Sequence, residues 1–228
     1  LVQVDSAERS LDMLYYLWYG DSGGLLLLEH VIQAAERGVR VRIVVDDALF
    51  IKGKKGLAEL DAHPNIEIRI FNPWASKGVG RAFETAGRMK KLNHRMHNKL
   101  LIADGVMTIL GGRNIGDHYF GLHHSYNFHD LDVLAIGHMA EQSNAMFDDF
   151  WNSEWVASAA NLTTEPDPER AAASWAKMLE KTRSAEELES FPVEPKDWSQ
   201  ELAELEPQLH PGTGDLIYDE VTAGGVAQ

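Results

Sequence analysis

The stretch from Ser10 to Asp47, SLDMLYYLWYGDSGGLLLLEHVIQAAERGVRVRIVVDD, leaves little choice of fold. Its first segment, 10–19, is poor in β-branched residues but rich in aromatics, and reads as a buried strand. Asp21 or Ser22 can cap the helix that follows. Leu27, Leu28, Val31, Ile32 and Ala35 give that helix one apolar face, and Gly38 ends it. Residues 39–47 first alternate and then turn apolar, the pattern of a second strand. Two strands joined through a helix by short connections run parallel, because a crossover is what a helical connection supplies.

Further strands follow. IEIRIFN (66–72) reads as a third. KLLIAD (99–104) and VMTILGG (106–112) flank Asp104-Gly105, a two-residue joint of the kind that closes a hairpin. DLDVLAIG (130–137) is another strand, and a helix over 139–152 directs Met146, Phe147, Phe150 and Trp151 inward. One layered α/β/α domain with a mixed, largely parallel sheet is expected over residues 1–156. Beyond it, 157–228 reads as an acidic, mainly helical connector or tail, with linkers at TTEPDPER and FPVEPKDW and one more strand at DLIYDEV.

Charge narrows the function classes. The chain of 228 residues has a net charge of −14, of which 1–156 carries −4 and 157–228 carries −10. Nucleic-acid binding rests on neutralising phosphates, so this balance argues against it. Lys77, Arg81, Arg88, Lys90, Lys91, Arg95 and Lys99 nevertheless form a basic island accompanied only by Glu84. Such an island suits an anionic substrate or surface, or is simply a solvated face. With no cysteine, disulfides and thiolate chemistry are excluded. No apolar run is long enough for a transmembrane helix, and no signal peptide is visible. The opening on Leu1 leaves room for an N-terminal anchor that has been trimmed away.

The chemistry concentrates in HNKLLIADGVMTILGGRN, 97–114. On an extended chain His97 and Lys99 face the same way. An imidazole can attack phosphorus, and an ammonium beside it can neutralise a phosphoryl oxygen. Asn114 adds a neutral donor, and Gly111-Gly112 would let the backbone approach an anion closely. Asp104, an odd number of residues from His97, faces away on an ideal strand and reads as a turn residue. His94, His118, His123, His124 and His129 crowd the same region, but their spacing fits no standard zinc pattern, so no metal is expected. His118 lines an entrance or caps the segment after Asn114. Asp46 and Asp47 end a strand where α/β sites form; they bind an alcohol or cap a loop. Trp74 and the Trp151/Trp155 pair face lipid or fill the core.

Taken whole, the pattern is His97-x-Lys99, four residues, Asp104, six residues, then Gly111-Gly112-x-Asn114. It resembles the signature of the phospholipase D superfamily. The flanks, LDMLYYLWYGDSGGLLLLEHVIQAAERGVRVRIVVDD before it and FHDLDVLAIG…FDDFWNSEW after it, resemble the N-terminal half of bacterial cardiolipin synthases and related phosphatidyltransferases. The resemblance implies a phosphodiester exchange without metal or cofactor. His97 would form a phosphohistidine, Lys99 and Asn114 would hold the phosphoryl oxygens, and Asp104 would be site-associated. A second histidine would serve as acid and base. It also implies an acidic residue that contacts a catalytic histidine. Asp130 and Asp132 are the candidates, with Asp130 preferred for that role and Asp132 left to substrate binding.

Phosphatidylglycerol, an alcohol acceptor and a membrane surface are the partners that follow, with peripheral association at the bacterial cytoplasmic membrane. The chain holds one His-x-Lys motif. Its partner is expected downstream in the same chain, with GDLIYDEV as the entry to a second half, or else in a second copy. Two other readings stand beside this one: a single-motif homodimeric endonuclease, and an inactive interaction module.

Overall fold

Alternation divides strand β1 (Ser10–Trp18) between two faces of a sheet, with Leu11, Met13 and Tyr15 on one side and Leu14 on the other. The computed structural model describes residues 1–50, 53–73, 95–162, 167–189, 191–192, 196–218, 221–222 and 225–226. The basic island from Lys77 to Lys91, together with Trp74 and His94, lies outside the described residues.

Helix α1 (Val2–Asp5) precedes β1, and helix α2 (Ser22–Glu36) follows it. Asp21 caps α2 by accepting a hydrogen bond from the Gly24 N–H at 3.1 Å. Gly38, at φ +96°, turns the chain out of the helix. Strand β2 (Arg40–Phe50) then pairs parallel to β1, and after helix α3 (Gly53–Asp61), strand β3 (Ile66–Phe71) pairs parallel to β2. Strands β4 (Leu100–Ala103), β5 (Met107–Gly111) and β6 (Asp132–Ile136) add as antiparallel neighbours on the far side of β1. Strand β7 (Val156–Ser158) closes the other edge against β3. The order is β6-β5-β4-β1-β2-β3-β7.

The sheet is mixed, as expected, but it is not largely parallel: of its six pairings only β1–β2 and β2–β3 are parallel. Those two pairs are joined by the crossover helices α2 and α3; β4, β5 and β6 follow one another by a turn and by a longer loop that holds one short helix, and these reverse the chain. The β4–β5 hairpin also departs in detail. Asp104 (φ 53°) and Gly105 (φ 73°) form the turn, but Ala103 pairs with Met107, leaving Val106 as an extra residue.

Each face of the sheet buries its own core. On one side Leu28, Val31, Val41, Ile43, Ile68 and Leu101 pack together with α2 and α3. On the other, Leu14, Val44, Phe71, Met96, Leu100 and Ile102 meet helix α5 (His138–Trp151) through Met146, Phe147, Phe150 and Trp151. Trp151 and Trp155 are core residues, 5% and 7% exposed. Helix α4 (Asp117–Phe120) is a short turn between β5 and β6.

The segment after β7 is not a detached tail. Helix α6 (Pro168–Thr182) lies on α2 and α3, where Trp175 and Leu179 enter the first core. Helix α7 (Ser199–Leu205) comes later. Residues 214–218 form no strand: Leu216 and Tyr218 pack along α5 in an irregular segment, and Tyr218 Oη donates to Asp149 at 2.8 Å. The sheet itself extends past residue 156 to Ser158.

Candidate functional site

The C-terminal ends of β1 and β2, the start of β4, the end of β5 and the start of β6 meet at one edge of the sheet, because β4 runs against β1 (Leu14 opposite Leu100) and β5 against β4 (Leu110 opposite Leu100). This is the edge at which α/β folds present ligands.

His97 lies in the irregular segment just before β4, with its side chain exposed. Its ring packs against Tyr16 of β1, centroids 4.5 Å apart. Lys99 sits over the same Tyr16 ring, its Nζ 5.9 Å from the centroid, and donates to the His97 carbonyl. Both groups thus gather around one tyrosine, from a segment that is not a strand. Desolvation pushes the Lys99 ammonium down from its ordinary range, and the Asp130 carboxylate opposes that shift.

Asn114 is 5% exposed. Its Oδ1 accepts from the Leu17 N–H at 3.1 Å, and its Nδ2 donates to Tyr119 Oη at 3.1 Å. The backbone contact fixes which end of the amide is the donor end. Asn114 thus joins the end of β1 next to the residue that carries the His97 ring.

Of the two acidic candidates, Asp132 is engaged elsewhere. Its carboxylate pairs with Arg113 Nε at 2.6 Å. Asp130 precedes β6, stands close enough to Lys99 to influence its charge, and has one buried carboxylate oxygen, Oδ2, with no hydrogen-bond partner among the described residues.

Two expectations are corrected by geometry. Asp104 does not join this cluster. It lies just past the far end of β4, whereas His97 precedes the strand's first residue. There its carboxylate accepts from the backbone N–H groups of Glu8, Arg9 and Ser10 at 3.0, 2.7 and 2.9 Å. The glycine pair does not offer its backbone to an anion either: the Gly111 N–H donates to Lys99 O and the Gly112 N–H to Leu131 O. A Cβ at 111 would stand 2.4 Å from the backbone oxygen of Leu131, and one at 112 would stand 2.7 Å from the side-chain Oδ1 of Asp130.

His118 is tied into the loop that follows. It stacks on His123 (3.7 Å) and Tyr126 (4.5 Å), and its carbonyl accepts from the Phe128 N–H. Asp46 is not open to an alcohol. It is 1% exposed; Oδ1 accepts from Arg95 Nη1 at 2.8 Å and Oδ2 from the Met96 N–H at 3.2 Å. Burial raises its carboxyl to about 6, against the pull of Arg95. Among the described residues no cluster of His, Asp and Glu could hold a metal ion, and no helix is long and apolar enough to cross a membrane.

Reading the sequence missed Tyr16, Tyr119 and Arg113. The only signal for Tyr16 was its place at the end of an aromatic strand, which reads equally well as core.

Residues 1–151 match a family model described as cardiolipin synthase, PLD-like domain. The chain is similar to cardiolipin synthase C of Escherichia coli K12, 39% identical over 197 residues that make up 82% of this chain and 41% of that protein. It is also similar to the major cardiolipin synthase ClsA of Bacillus subtilis, 29% identical over 67% of this chain and 30% of that protein. Among solved structures, phosphatidylserine synthase of Haemophilus influenzae shares the fold with a TM-score of 0.53 at 12% identity, over 80% of this chain and 41% of that one. The chain thus spans well under half the length of these relatives.

Proposed function

Because the chain belongs to the cardiolipin synthase, PLD-like domain family of the phospholipase D superfamily, we propose that it is one catalytic half of a phosphatidyltransferase working through a phosphohistidine on His97. The proposed reaction makes cardiolipin from phosphatidylglycerol. The observation that carries this reading is the gathering of an exposed imidazole and a half-buried ammonium on Tyr16, with Asn114 tied to the next residue of β1.

In the first step a neutral His97 ring nitrogen attacks phosphorus. The bond to the glycerol headgroup breaks, and the departing oxygen takes a proton from a second histidine. In the second step the headgroup hydroxyl of another phosphatidylglycerol gives its proton to that same histidine as it attacks. The P–N bond breaks, releasing cardiolipin and restoring His97. Lys99 and the Asn114 amide stabilise the charge on the non-bridging oxygens, the part metal ions take in other phosphoryl transfers. The unmatched oxygen of Asp130 suits it to receive a catalytic imidazole N–H.

The second histidine belongs to a further His-x-Lys half, in the same chain or a second copy. Support comes from the β6 edge strand and the residue before it, where Leu131, Val133 and Ile136 are 82%, 49% and 52% exposed. Substrates of this kind lie in a bilayer, so peripheral membrane association is part of the reading.

The test is turnover of phosphatidylglycerol vesicles by the full-length protein, followed as cardiolipin and free glycerol. His97→Ala is expected to lower it by at least about a thousandfold. Absence of both products with the parent protein would sink the reading; unchanged turnover in the variant would remove His97 as nucleophile.

A further inference from the structure

His97 is presented by a segment that is not itself a strand. Residues 95–99 are irregular, and the β4 ladder begins only at Leu100. How such a segment is fixed bears on the reaction, since an in-line attack tolerates little displacement.

The residue immediately before it is held twice. The Met96 side chain is fully buried in the core beneath the sheet, and its N–H donates to Asp46 Oδ2 at 3.2 Å. One residue further back, Arg95 donates to the other oxygen of the same carboxylate at 2.8 Å. Asp46 lies within β2, as the last residue of its parallel ladder with β3, opposite Phe71. A carboxylate with no exposed side-chain surface is costly to bury, and its two oxygens are spent on consecutive residues that lead to His97.

We infer that Asp46 is a positioning residue, which with Arg95 clamps the 95–96 segment to β2 and so holds the His97 imidazole on Tyr16. It touches no substrate; it acts through Met96 and Arg95. The two anchors stand on neighbouring strands, β1 through Tyr16 and β2 through Asp46, so the ring is located from two directions. The inference rests on the proposed role of His97, and the experiment below separates the two.

The full-length protein and its Asp46→Asn, Asp46→Glu and Arg95→Gln variants would be compared in phosphatidylglycerol turnover and in the imidazole NMR signals. The His97 signal is the one absent from His97→Ala. Expected for Asp46→Asn is a fall in kcat of about ten- to a hundredfold with KM nearly unchanged. The His97 signal should also lose the ring-current displacement that Tyr16 imposes, while the buried His30 signal stays in place and reports an intact fold. Arg95→Gln should move both readouts the same way to a smaller extent, and Asp46→Glu should restore part of each. A His97 signal unmoved in Asp46→Asn and Arg95→Gln overturns the clamp whether or not turnover is seen. A moved signal in a parent protein without turnover keeps the clamp and removes the proposed reaction. If Asp46→Asn does not fold, Arg95→Gln decides: an unmoved His97 signal and normal kcat overturn the inference.

Discussion

Asp46 lies within β2 and Asp104 in the turn after β4, and the fold shifts their acidities in opposite directions. Burial raises Asp46 to about 6 even with Arg95 beside it. Burial also pushes Asp104 up, but the N–H groups of Glu8, Ser10 and Arg9 outweigh it and hold the carboxyl below its ordinary range. The consequences for stability are opposite in sign. Between the unfolded value near 3.9 and the folded value near 6, native Asp46 binds more proton than the unfolded chain, so this residue's contribution to stability grows as pH falls through that window. The full swing is about 3 kcal/mol. Asp104 contributes stability above its unfolded value and loses it as pH falls below. In denaturant titrations from pH 7 to 5, the stability difference between parent and Asp46→Asn should therefore move toward the parent. For Asp104→Ala the deficit should be constant over that range and shrink only in stronger acid. A pH-independent difference for Asp46→Asn would show that its carboxyl is not raised.

Elements carry the next constraint, and the paired glycines at the end of β5 show how differently two neighbours can be restricted. A Cβ at Gly111 would collide with backbone, at 2.4 Å from Leu131 O and 2.7 Å from Asp132 Cα, so β5 and β6 would have to separate. At Gly112 the close contacts are all with the Asp130 side chain, which can swing aside. Gly111→Ala is thus expected to cost about 1–3 kcal/mol of stability. Gly112→Ala should leave stability within about 0.5 kcal/mol and lower turnover by moving Asp130 from Lys99. Melting and turnover measured on both variants check the contrast; equal melting losses would refute it. Much of this level was legible in the sequence. The strand-helix-strand run from Ser10 and the hairpin at Asp104-Gly105 announce themselves by period and turn chemistry. What could not be read were contacts across strands far apart in sequence. Tyr16 meets His97, Asp46 meets Arg95, and Arg113 takes Asp132, and nothing local to those residues signals the pairing. The glycine pair misled for the same reason: its partner was the neighbouring strand, not a ligand.

At the scale of the whole molecule, the acidic segment after Ser158 is stitched to the first core by a buried polar network. Asp5 and His30 have no exposed side-chain surface, and His30 Nδ1 lies 2.5 Å from Asp5 Oδ1. The other ring nitrogen lies 3.1 Å from the Pro192 carbonyl, while Trp198 Nε1 donates to Asp5 Oδ2 at 2.6 Å. Two connector residues thus meet two residues of α1 and α2 around one carboxylate. Burial pushes that carboxyl up, and the hydrogen bonds from His30 and Trp198 bring it below its ordinary range. Composition alone gave the segment a charge of −10 and no visible task, because the network depends on single residues from four places in the chain. Asp5→Ala leaves His30 Nδ1 and the Trp198 N–H without their acceptor, and should destabilise the protein by about 3 kcal/mol or more. Trp198→Phe removes one hydrogen bond and keeps the ring, and should cost about 1 kcal/mol. The connector reports the difference directly. Lys196, two residues from Trp198, is partly exposed, and trypsin should cut there faster in Asp5→Ala than in the parent, with Trp198→Phe between them. Equal cleavage rates in all three would mean that this network does not hold the connector down, and that the packing of α6 on α2 and α3 suffices.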